Sequence, residues 1–262
     1  SGEAQAAFGD GACYMEKFLF PVKHIEMQLL CDHFGHIVCL GERECSMQRK
    51  NQKTLEESPS PSVDEETRKE MMRVSVLAAK TVGYRGLGTI EFLLTQDKKF
   101  YFMEMNTRIQ VENGGSAKIS RIKGHDGIDL VAEQIRTGLG EPLGYTQNDI
   151  SFEGRTLEYR IIAESPENNF TPWVGTIDRF RWVEHPWLSV YTHVPKQPYV
   201  IPTEFDPNLA LVIIWGQDLD ELKQRGLEFL NEVVLQGHDA SGAPMKSNIQ
   251  YLREQTPHIL QF

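Results

Sequence analysis

Five polar side chains recur at every second position in the segment 104–112. They are Glu104, Asn106, Arg108, Gln110 and Glu112, and small or apolar residues stand between them. Successive side chains of an extended segment point to opposite faces, so all five groups would line one face. Carboxylate, amide and guanidinium groups are costly to desolvate without counter-ions. A ligand that carries cations and anions together, such as a magnesium nucleotide, would satisfy them.

A solvated face of an ordinary antiparallel strand produces the same alternation and is the alternative interpretation. The upstream residues Phe100 and Phe102 argue against it, because they share the parity of Glu104. The face is therefore apolar first and charged afterwards. That change is typical of a strand that leaves the core and enters a cleft.

A second acidic residue is predicted to lie beside this segment. The runs 88–94 and 99–103 are joined by Thr95–Lys98, and a hairpin of the two would bring Glu91 next to Glu104. With Asn106 they form an all-oxygen set of the kind that Mg²⁺ prefers. Lys17, Lys53 and Arg108 could supply charge for phosphates or a small anion. Alternation of polar residues over 46–52 indicates a further ligand-facing segment, although a solvated basic run has the same pattern.

The composition excludes several classes of protein. The chain has 262 residues, ordinary globular composition and a formal net charge of −10, which argues against general affinity for nucleic acid or anionic membranes. It shows neither a signal peptide nor an apolar run of the ~18 residues that span a bilayer, so a soluble, cytoplasmic protein is expected. The four cysteines match no zinc pattern, and Cys31 and Cys39 are predicted to be buried free thiols without disulfides.

The elements that must position these groups predict an α+β fold of two units. Extended runs over 14–30 and 36–45 should form a hairpin, and a capping box at Ser62–Glu65 should open a helix that Gly83 closes. A loop over 113–127 and a helix over 126–137 follow. Strands are expected near 156–163, 175–182, 188–194 and 209–215, then a helix capped by Asp218 and a short helix after Ser247. The boundary lies near 140–155, which gives units at 1–145 and 146–262.

Several strings resemble the biotin carboxylase component of biotin-dependent carboxylases, in that family's order along nearly the whole chain. The resemblance rests on Tyr14–Leu19, Glu42–Arg49, Gln52-Lys53, Gly83–Gly86, Gly88–Phe92, Met103–Glu112 and Glu158–Glu164. It implies the C-terminal half of an ATP-grasp domain, an antiparallel sheet with helices, followed by a biotin carboxylase C-terminal domain. Residues 1–15 would then be the end of the lid.

The resemblance also implies a role for each matching residue. Glu91, Glu104 and Asn106 would hold magnesium or manganese at the ATP phosphates. Glu16, Lys17 and Leu19 would lie under adenine, with His24 and Gln48 near the nucleotide. Lys53, Arg108 and the backbone of Val111 would hold bicarbonate, Glu112 would be the base, and Arg160 would steady the biotin enolate. The implied activity is ATP- and bicarbonate-dependent carboxylation of biotin through carboxyphosphate.

The implied partners are a biotin carboxyl carrier protein or domain, a carboxyltransferase and a second copy of the chain in a homodimer. Four sites depart from the family pattern: Asn113–Lys118 replaces His-Pro-Val-Thr-Glu, Asn51 replaces a histidine, Leu209–Val212 replaces a Gly-Lys-Leu type sequence, and Val190 replaces an arginine of the dimer interface. Because no Gly-rich phosphate loop precedes Tyr14, the chain is expected to be a fragment without useful activity by itself. The alternatives are a non-catalytic scaffold that binds a partner, and an ATP-grasp ligase for an amine or carboxylate.

Overall fold

Antiparallel strands and helices make up the residues that the computed structural model describes, which are 2–49, 52–123, 127–194, 197–204 and 206–259. The helices in these ranges are α1 (Gly2–Phe8), α2 (Glu65–Thr81), α3 (Asn113–Ile119), α4 (Leu130–Gly138), α5 (Leu219–Glu232) and α6 (Ile249–Gln255). The strands are β1 (Val22–Cys31), β2 (Ile37–Arg49), β3 (Gln52–Ser58), β4 (Gly86–Thr95), β5 (Phe100–Asn106), β6 (Ser120–Ile122), β7 (Ile150–Phe152), β8 (Arg155–Ile162), β9 (Glu164–Ser165), β10 (Thr171–Pro172), β11 (Thr176–Arg181), β12 (Leu188–Thr192), β13 (Tyr199–Val200), β14 (Asn208–Gly216) and β15 (Val234–His238). The predicted α+β class is confirmed. Among these helices, none has the length and apolar character that crossing a membrane requires.

One antiparallel sheet of eight strands organises the molecule, in the order β12-β14-β8-β3-β2-β1-β4-β5. The predicted hairpins β1–β2 and β4–β5 are both present, although β1 begins at Val22, later than the extended run from residue 14. Asp32 closes the first hairpin by accepting hydrogen bonds from the backbone N–H groups of Phe34 (2.8 Å) and His36 (2.9 Å). Because β3 pairs with β8, the sheet runs continuously from the first half of the chain into the second. The division at 145/146 stays a prediction.

Helix α2 covers one face of the sheet, and the side chains that β1 directs toward this helix are apolar. Ile25 and Met27 are fully buried there in a cluster with Met71 of the helix. The predicted capping box Ser62–Glu65 is wrong, because the cap is Asp64, whose carboxylate accepts from the N–H of Thr67 at 2.8 Å, and Glu65 is the first residue of the helix. Gly83 follows the end of the helix with a φ of +62°, a value that favours glycine, as the sequence indicated.

The strand predicted through residue 112 ends at Asn106, and this is the main correction to the sequence interpretation. Residues 107–112 lie outside any strand and lead into helix α3, where a loop was predicted. The chain leaves the sheet because Gln110 and Glu112 both turn into the protein and are buried with hydrogen-bond partners. An extended β5 would have left Gln110 and Glu112 at the sheet edge.

Close packing of α3 explains the unusual glycines at 114 and 115. A Cβ atom on Gly114 would stand 2.2 Å from Cδ1 of Ile213 on β14, and one on Gly115 would stand 3.2 Å from Oγ1 of Thr156 on β8. A larger side chain at 114 would push the helix away from the sheet. The glycines in the departure from the family pattern at 113–118 therefore fit the side chains that pack against them on β8 and β14.

We expect the change Gly114→Ala to lower the free energy of unfolding by about 1 kcal/mol, since overpacking against Cδ1 of Ile213 outweighs the helix propensity that alanine adds. Urea unfolding measures the loss. Gly138→Ala is the matched control, because Gly138 lies in helix α4 with no atom within 4 Å of its added Cβ, and should be neutral or stabilising. Adding Ile213→Val removes the clashing methyl and should restore part of the loss; no recovery would contradict the packing explanation.

Helices α4, α5 and α6 agree with the sequence apart from their bounds, whereas α1 was not predicted. Helix α4 begins after its cap Asp129 and its last residue is Gly138, where the sequence predicted its end; Asp126, the predicted start, lies outside the described residues. Asp218 caps α5 as predicted, accepting from the N–H of Glu221 at 2.9 Å. All four cysteines are free, and burial raises the pKa of both Cys31 and Cys39 to about 12, which confirms them as buried thiols.

Glu57 of β3 makes the stability of the fold dependent on pH. It is buried beside its strand partner Glu44, and burial first and then Glu44 raise its pKa from 4.5 to about 7. The folded protein therefore binds this proton more tightly than the unfolded chain, so the stabilisation is complete below about pH 4.5 and lost as the pH rises to about 7.

We expect Glu57→Gln to remove this part of the pH dependence. The decline in the free energy of unfolding between about pH 4.5 and 7 should shrink by up to about 3 kcal/mol relative to the wild type. Chemical unfolding across that window measures it, with the exposed Glu153→Gln as control. Equal slopes in the two variants would contradict the assignment.

Candidate active site

A cleft of about 670 Å³ opens where β1–β5 and β8 meet the segment 107–112. Among its lining residues are His24, Gln48, Lys53, Glu91, Glu104, Asn106, Arg108, Val111, Glu112 and Arg160. The sequence singled out all of these, from six separate segments of the chain. Tertiary structure brings them together on one wall, and their individual roles remain predictions.

Three predicted nucleotide-binding residues lie away from the cleft. Glu16 and Lys17 are exposed and Leu19 is half-buried, in a stretch without regular structure before β1. The ammonium of Lys17 lies 5.8 Å from the ring centroid of Tyr101 on β5, which places this stretch near the outer edge of the sheet. Asn51, another position noted in the sequence, lies outside the described residues.

Glu91 and Glu104 are direct cross-strand partners on β4 and β5, as the hairpin predicted. The side-chain amide of Asn106 donates to both carboxylates, at 2.7 Å to Glu91 and 3.5 Å to Glu104. Burial alone would raise the pKa of Glu91, but His24 and Lys53 outweigh it and lower that pKa, so the carboxylate stays ionised. Two carboxylates and an amide this close are the donor set that fits Mg²⁺ or Mn²⁺.

His24 and Gln48 form one wall of this acidic corner. Gln48 Nε2 donates to His24 Nδ1 at 2.8 Å, which leaves Nε2 of the imidazole as its N–H. That Nε2 lies 2.7 Å from Glu91 Oε2. The pair thus faces the carboxylate predicted to bind the metal, on the side where the sequence placed the nucleotide.

An ion-pair chain crosses the floor of the cleft. Lys53 donates to both Glu26 and Glu112, and Arg160 Nη2 donates to Glu112 Oε2 at 3.1 Å. Burial alone would raise the pKa of Glu112, yet the cations Arg43 and Lys53 lower it to about 2. Glu112 is therefore ionised and a weak base in this arrangement. Its basicity would rise when an anionic ligand draws Lys53 or Arg160 away.

Arg108 is the cation that remains available to a ligand. Its guanidinium is exposed and donates to Asn106 Oδ1 at 3.2 Å and to the carbonyl of Ile109 at 3.1 Å. No carboxylate in the described ranges comes within ion-pair distance of it. An anion in the cleft would therefore meet a guanidinium that is not already neutralised by a carboxylate.

Sequence reasoning missed the residue that holds the cleft together, which is Arg43 of β2. Its side chain is 1% exposed and donates to five others, which are Glu26 (3.0 and 3.1 Å), Gln28 (2.7 Å), Gln110 (2.9 Å), Ser116 (3.0 Å) and Thr89 (3.3 Å). These groups come from β1, β4, the segment 107–112 and α3. Glu26 and Arg43 are direct partners in the β1–β2 register, so drawing that register on the predicted hairpin would have found the pair.

Comparisons with known proteins agree with this arrangement. Residues 1–146 match the family of the carbamoyl-phosphate synthase L chain ATP-binding domain, and residues 158–256 match the biotin carboxylase C-terminal domain. The chain is 44% identical to the chloroplastic biotin carboxylase of Arabidopsis thaliana over 90% of its own length and 42% of that protein. It is 48% identical to the propionyl-CoA carboxylase alpha chain of Ruegeria pomeroyi over 68% of its length and 25% of that protein.

A solved structure shows the same fold. The biotin carboxylase domain of 2-oxoglutarate carboxylase from Hydrogenobacter thermophilus, a dimer in complex with MgADP, ADP and bicarbonate, superposes with a TM-score of 0.87 at 36% identity. The match covers 98% of this chain and 53% of that one. The chain thus spans about half the length of the relatives it matches.

Proposed function

This chain belongs to the biotin carboxylase family of ATP-grasp ligases, and we propose that it forms the bicarbonate and metal-nucleotide wall of a biotin-dependent carboxylase. The observation that carries the proposal is that Lys53 and Arg160 contact the carboxylate of Glu112 in the cleft that Arg108 also lines, beside the oxygen set of Glu91, Glu104 and Asn106. Two cations on a base and a third in the same cleft suit a small anion that must also lose a proton.

Bicarbonate would bind between Arg108 and Lys53, with the backbone of Val111 at its side. It is a weak nucleophile, so holding it in line and removing its proton supply much of what the reaction needs. Glu112 would take that proton once the anion has drawn Lys53 away from it. Arg108 would then balance the negative charge that develops as carboxyphosphate forms.

Glu91, Glu104 and Asn106 would hold the magnesium or manganese ion, which supplies charge neutralisation at the ATP phosphates. His24 and Gln48 would orient the nucleotide beside them, and Glu16, Lys17 and Leu19 would lie at its adenine. Arg160 would stabilise the enolate of biotin, since its guanidinium lines the same cleft and already contacts Glu112. A structural neighbour that binds MgADP and bicarbonate supports the choice of ligands.

The test is bicarbonate-dependent ATP hydrolysis by the complete protein, measured with and without biotin. We expect hydrolysis to require bicarbonate and to rise when biotin is added. A non-catalytic scaffold would bind nucleotide without either response, and a ligase for another substrate would respond to an amine or carboxylate in place of bicarbonate. The 262-residue chain by itself should turn over poorly, because Glu104 and Arg108 stand open to water.

The partners of the whole protein follow from the same proposal. A biotin carboxyl carrier protein or domain would deliver biotin to Arg160, and a carboxyltransferase would consume carboxybiotin. A homodimer remains a proposal; Val190, where the family has an interface arginine, is half-buried and packs partly on the core around β8 and β14. The cytoplasmic location also remains a prediction, and three relatives are named as chloroplastic.

A further inference from the structure

Glu158 is a buried acidic residue to which the proposed chemistry gives no task. It lies on β8 and is 1% exposed, and neither carboxyl oxygen has a hydrogen-bond partner among the described residues. An ionised carboxylate without a donor or counter-ion is strongly disfavoured in such a place. The carboxyl group of Glu158 is therefore expected to be protonated and neutral.

The neighbouring strand presents an acceptor that lacks a donor. Glu56 of β3 is the register partner of Glu158, so the two side chains share a face with their Cβ atoms about 5 Å apart. Glu56 Oε1 accepts from Nε of Arg160 at 2.9 Å and lies 2.8 Å from its Nη2 in an ion pair, whereas Oε2 of Glu56 is buried without a partner among the described residues. One proton on Glu158 would satisfy an oxygen of each residue.

No water molecule can donate these hydrogen bonds in place of a protonated Glu158. The gap between Arg43, Glu56, Glu112 and Glu158 leaves no volume for a water molecule, although their side chains enclose it. Helix α3 covers the other side, where a Cβ on Gly114 would stand 3.7 Å from Glu158 Oε2. A direct contact between the two carboxyl groups is the remaining arrangement.

The charges around Glu158 favour its neutral form. Burial first, then the carboxylates of Glu56 and Glu112, raise the pKa of Glu158 well above its usual value, and the cations Arg160 and Arg43 do not offset them. Burial also raises the pKa of Glu56, to about 7, although Arg160 opposes the shift. Of the two acids, Glu56 has the direct cation partner, so the proton belongs on Glu158.

We propose that Glu158 is a neutral carboxylic acid whose O–H donates to Oε2 of Glu56 and thereby holds Glu56 against Arg160. Arg160 in turn donates to Glu112, so the contact fixes a chain of four side chains that ends at the proposed base. Glu158 is a positioning residue, since it does not line the cleft. The inference that Glu158 is neutral rests on the geometry alone. Only the effect of Glu158 on kcat rests on the proposed function.

Infrared spectroscopy of the folded chain near pH 7 tests the first part without any assay of activity, with Glu57→Gln present in every sample because Glu57 is itself partly protonated at that pH. We expect the C=O band of a protonated carboxyl group, which Glu158→Gln removes and the exposed control Glu153→Gln leaves in place. A Glu57→Gln spectrum without that band, or a band that survives Glu158→Gln, overturns the proposal. This measurement stands even if the protein proves not to carboxylate biotin.

Kinetics of the complete carboxylase test the second part. Glu158→Gln keeps a donor of the same shape and should stay within about threefold of the wild-type kcat, whereas Glu158→Leu should lose about tenfold with an unchanged KM for ATP. Equal losses in the two variants, or full turnover with leucine, would overturn the positioning role. A wild-type enzyme without bicarbonate-dependent hydrolysis would instead refute the proposed function.

Discussion

Replacing Arg108 with alanine should lower the kcat of the complete carboxylase by about a hundredfold or more, while the protein stays folded. Arg108 is the exposed guanidinium of the cleft, and in the described residues no carboxylate neutralises it. On the proposed function, its charge would balance the negative charge that develops on bicarbonate and the transferred phosphoryl group. Steady-state ATP hydrolysis with bicarbonate in excess measures the loss.

The exposed Arg179 on β11 provides the matched control for this change. Arg179→Ala removes the same charge from a strand outside the cleft and should leave turnover unchanged. Both variants should unfold at the wild-type urea concentration, because neither guanidinium is buried. If Arg108→Ala kept wild-type turnover, the non-catalytic scaffold would become the better interpretation.

Replacing Arg43 with methionine should cost about 3–5 kcal/mol of folding free energy, because the buried carboxylate of Glu26 loses both guanidinium donors on its Oε2 and keeps only the donor Lys53 among the described residues. Burial alone would lower the pKa of Arg43, but Glu26 and Glu112 outweigh it and raise that pKa, so the side chain is a full cation in the folded protein. Methionine fills a similar space and isolates the loss of the donors. Gln28 and Gln110 would lose a hydrogen bond at the same time.

The control is Arg73→Met on α2, where the guanidinium is 61% exposed and pairs only with Glu70 among the described residues. An exposed pair of this kind contributes at most about 1 kcal/mol, so the two unfolding curves should separate clearly. Similar midpoints in urea would show that the five contacts of Arg43 do not add to stability. A second change, Glu26→Gln in the Arg43→Met background, should recover part of the loss by removing a buried charge that keeps only one of its two cation partners.

Local sequence determined the elements with short-range signals. The turns at Asp32 and at 95–98 fixed two hairpins, and the β4–β5 hairpin placed Glu91 beside Glu104. Asp218 indicated the start of helix α5, because an N-cap side chain needs only a backbone N–H group three residues ahead. The short segments that resemble the biotin carboxylase family are also local in sequence, and they identified the residues that line the cleft.

Local sequence failed where a distant partner decides the backbone. Alternation continued to Glu112, and nothing within 104–112 shows that Arg43 and Lys53 draw Gln110 and Glu112 out of the strand. Helix α3 was also predicted wrongly for this reason. Its glycines suggest a loop, and only the distant Ile213, which packs against Gly114, explains why glycine is needed in a helix there.

The sequence by itself determined the chemistry of this protein, through which acids, cations and amides it contains and on which strands they lie. Tertiary structure alone decided how the groups distant in sequence are paired: Lys53 with Glu112, and Arg160 with both Glu56 and Glu112. The physical reason is that a buried charge is stable only with a partner, and here those partners lie up to 104 residues away, between Glu56 and Arg160.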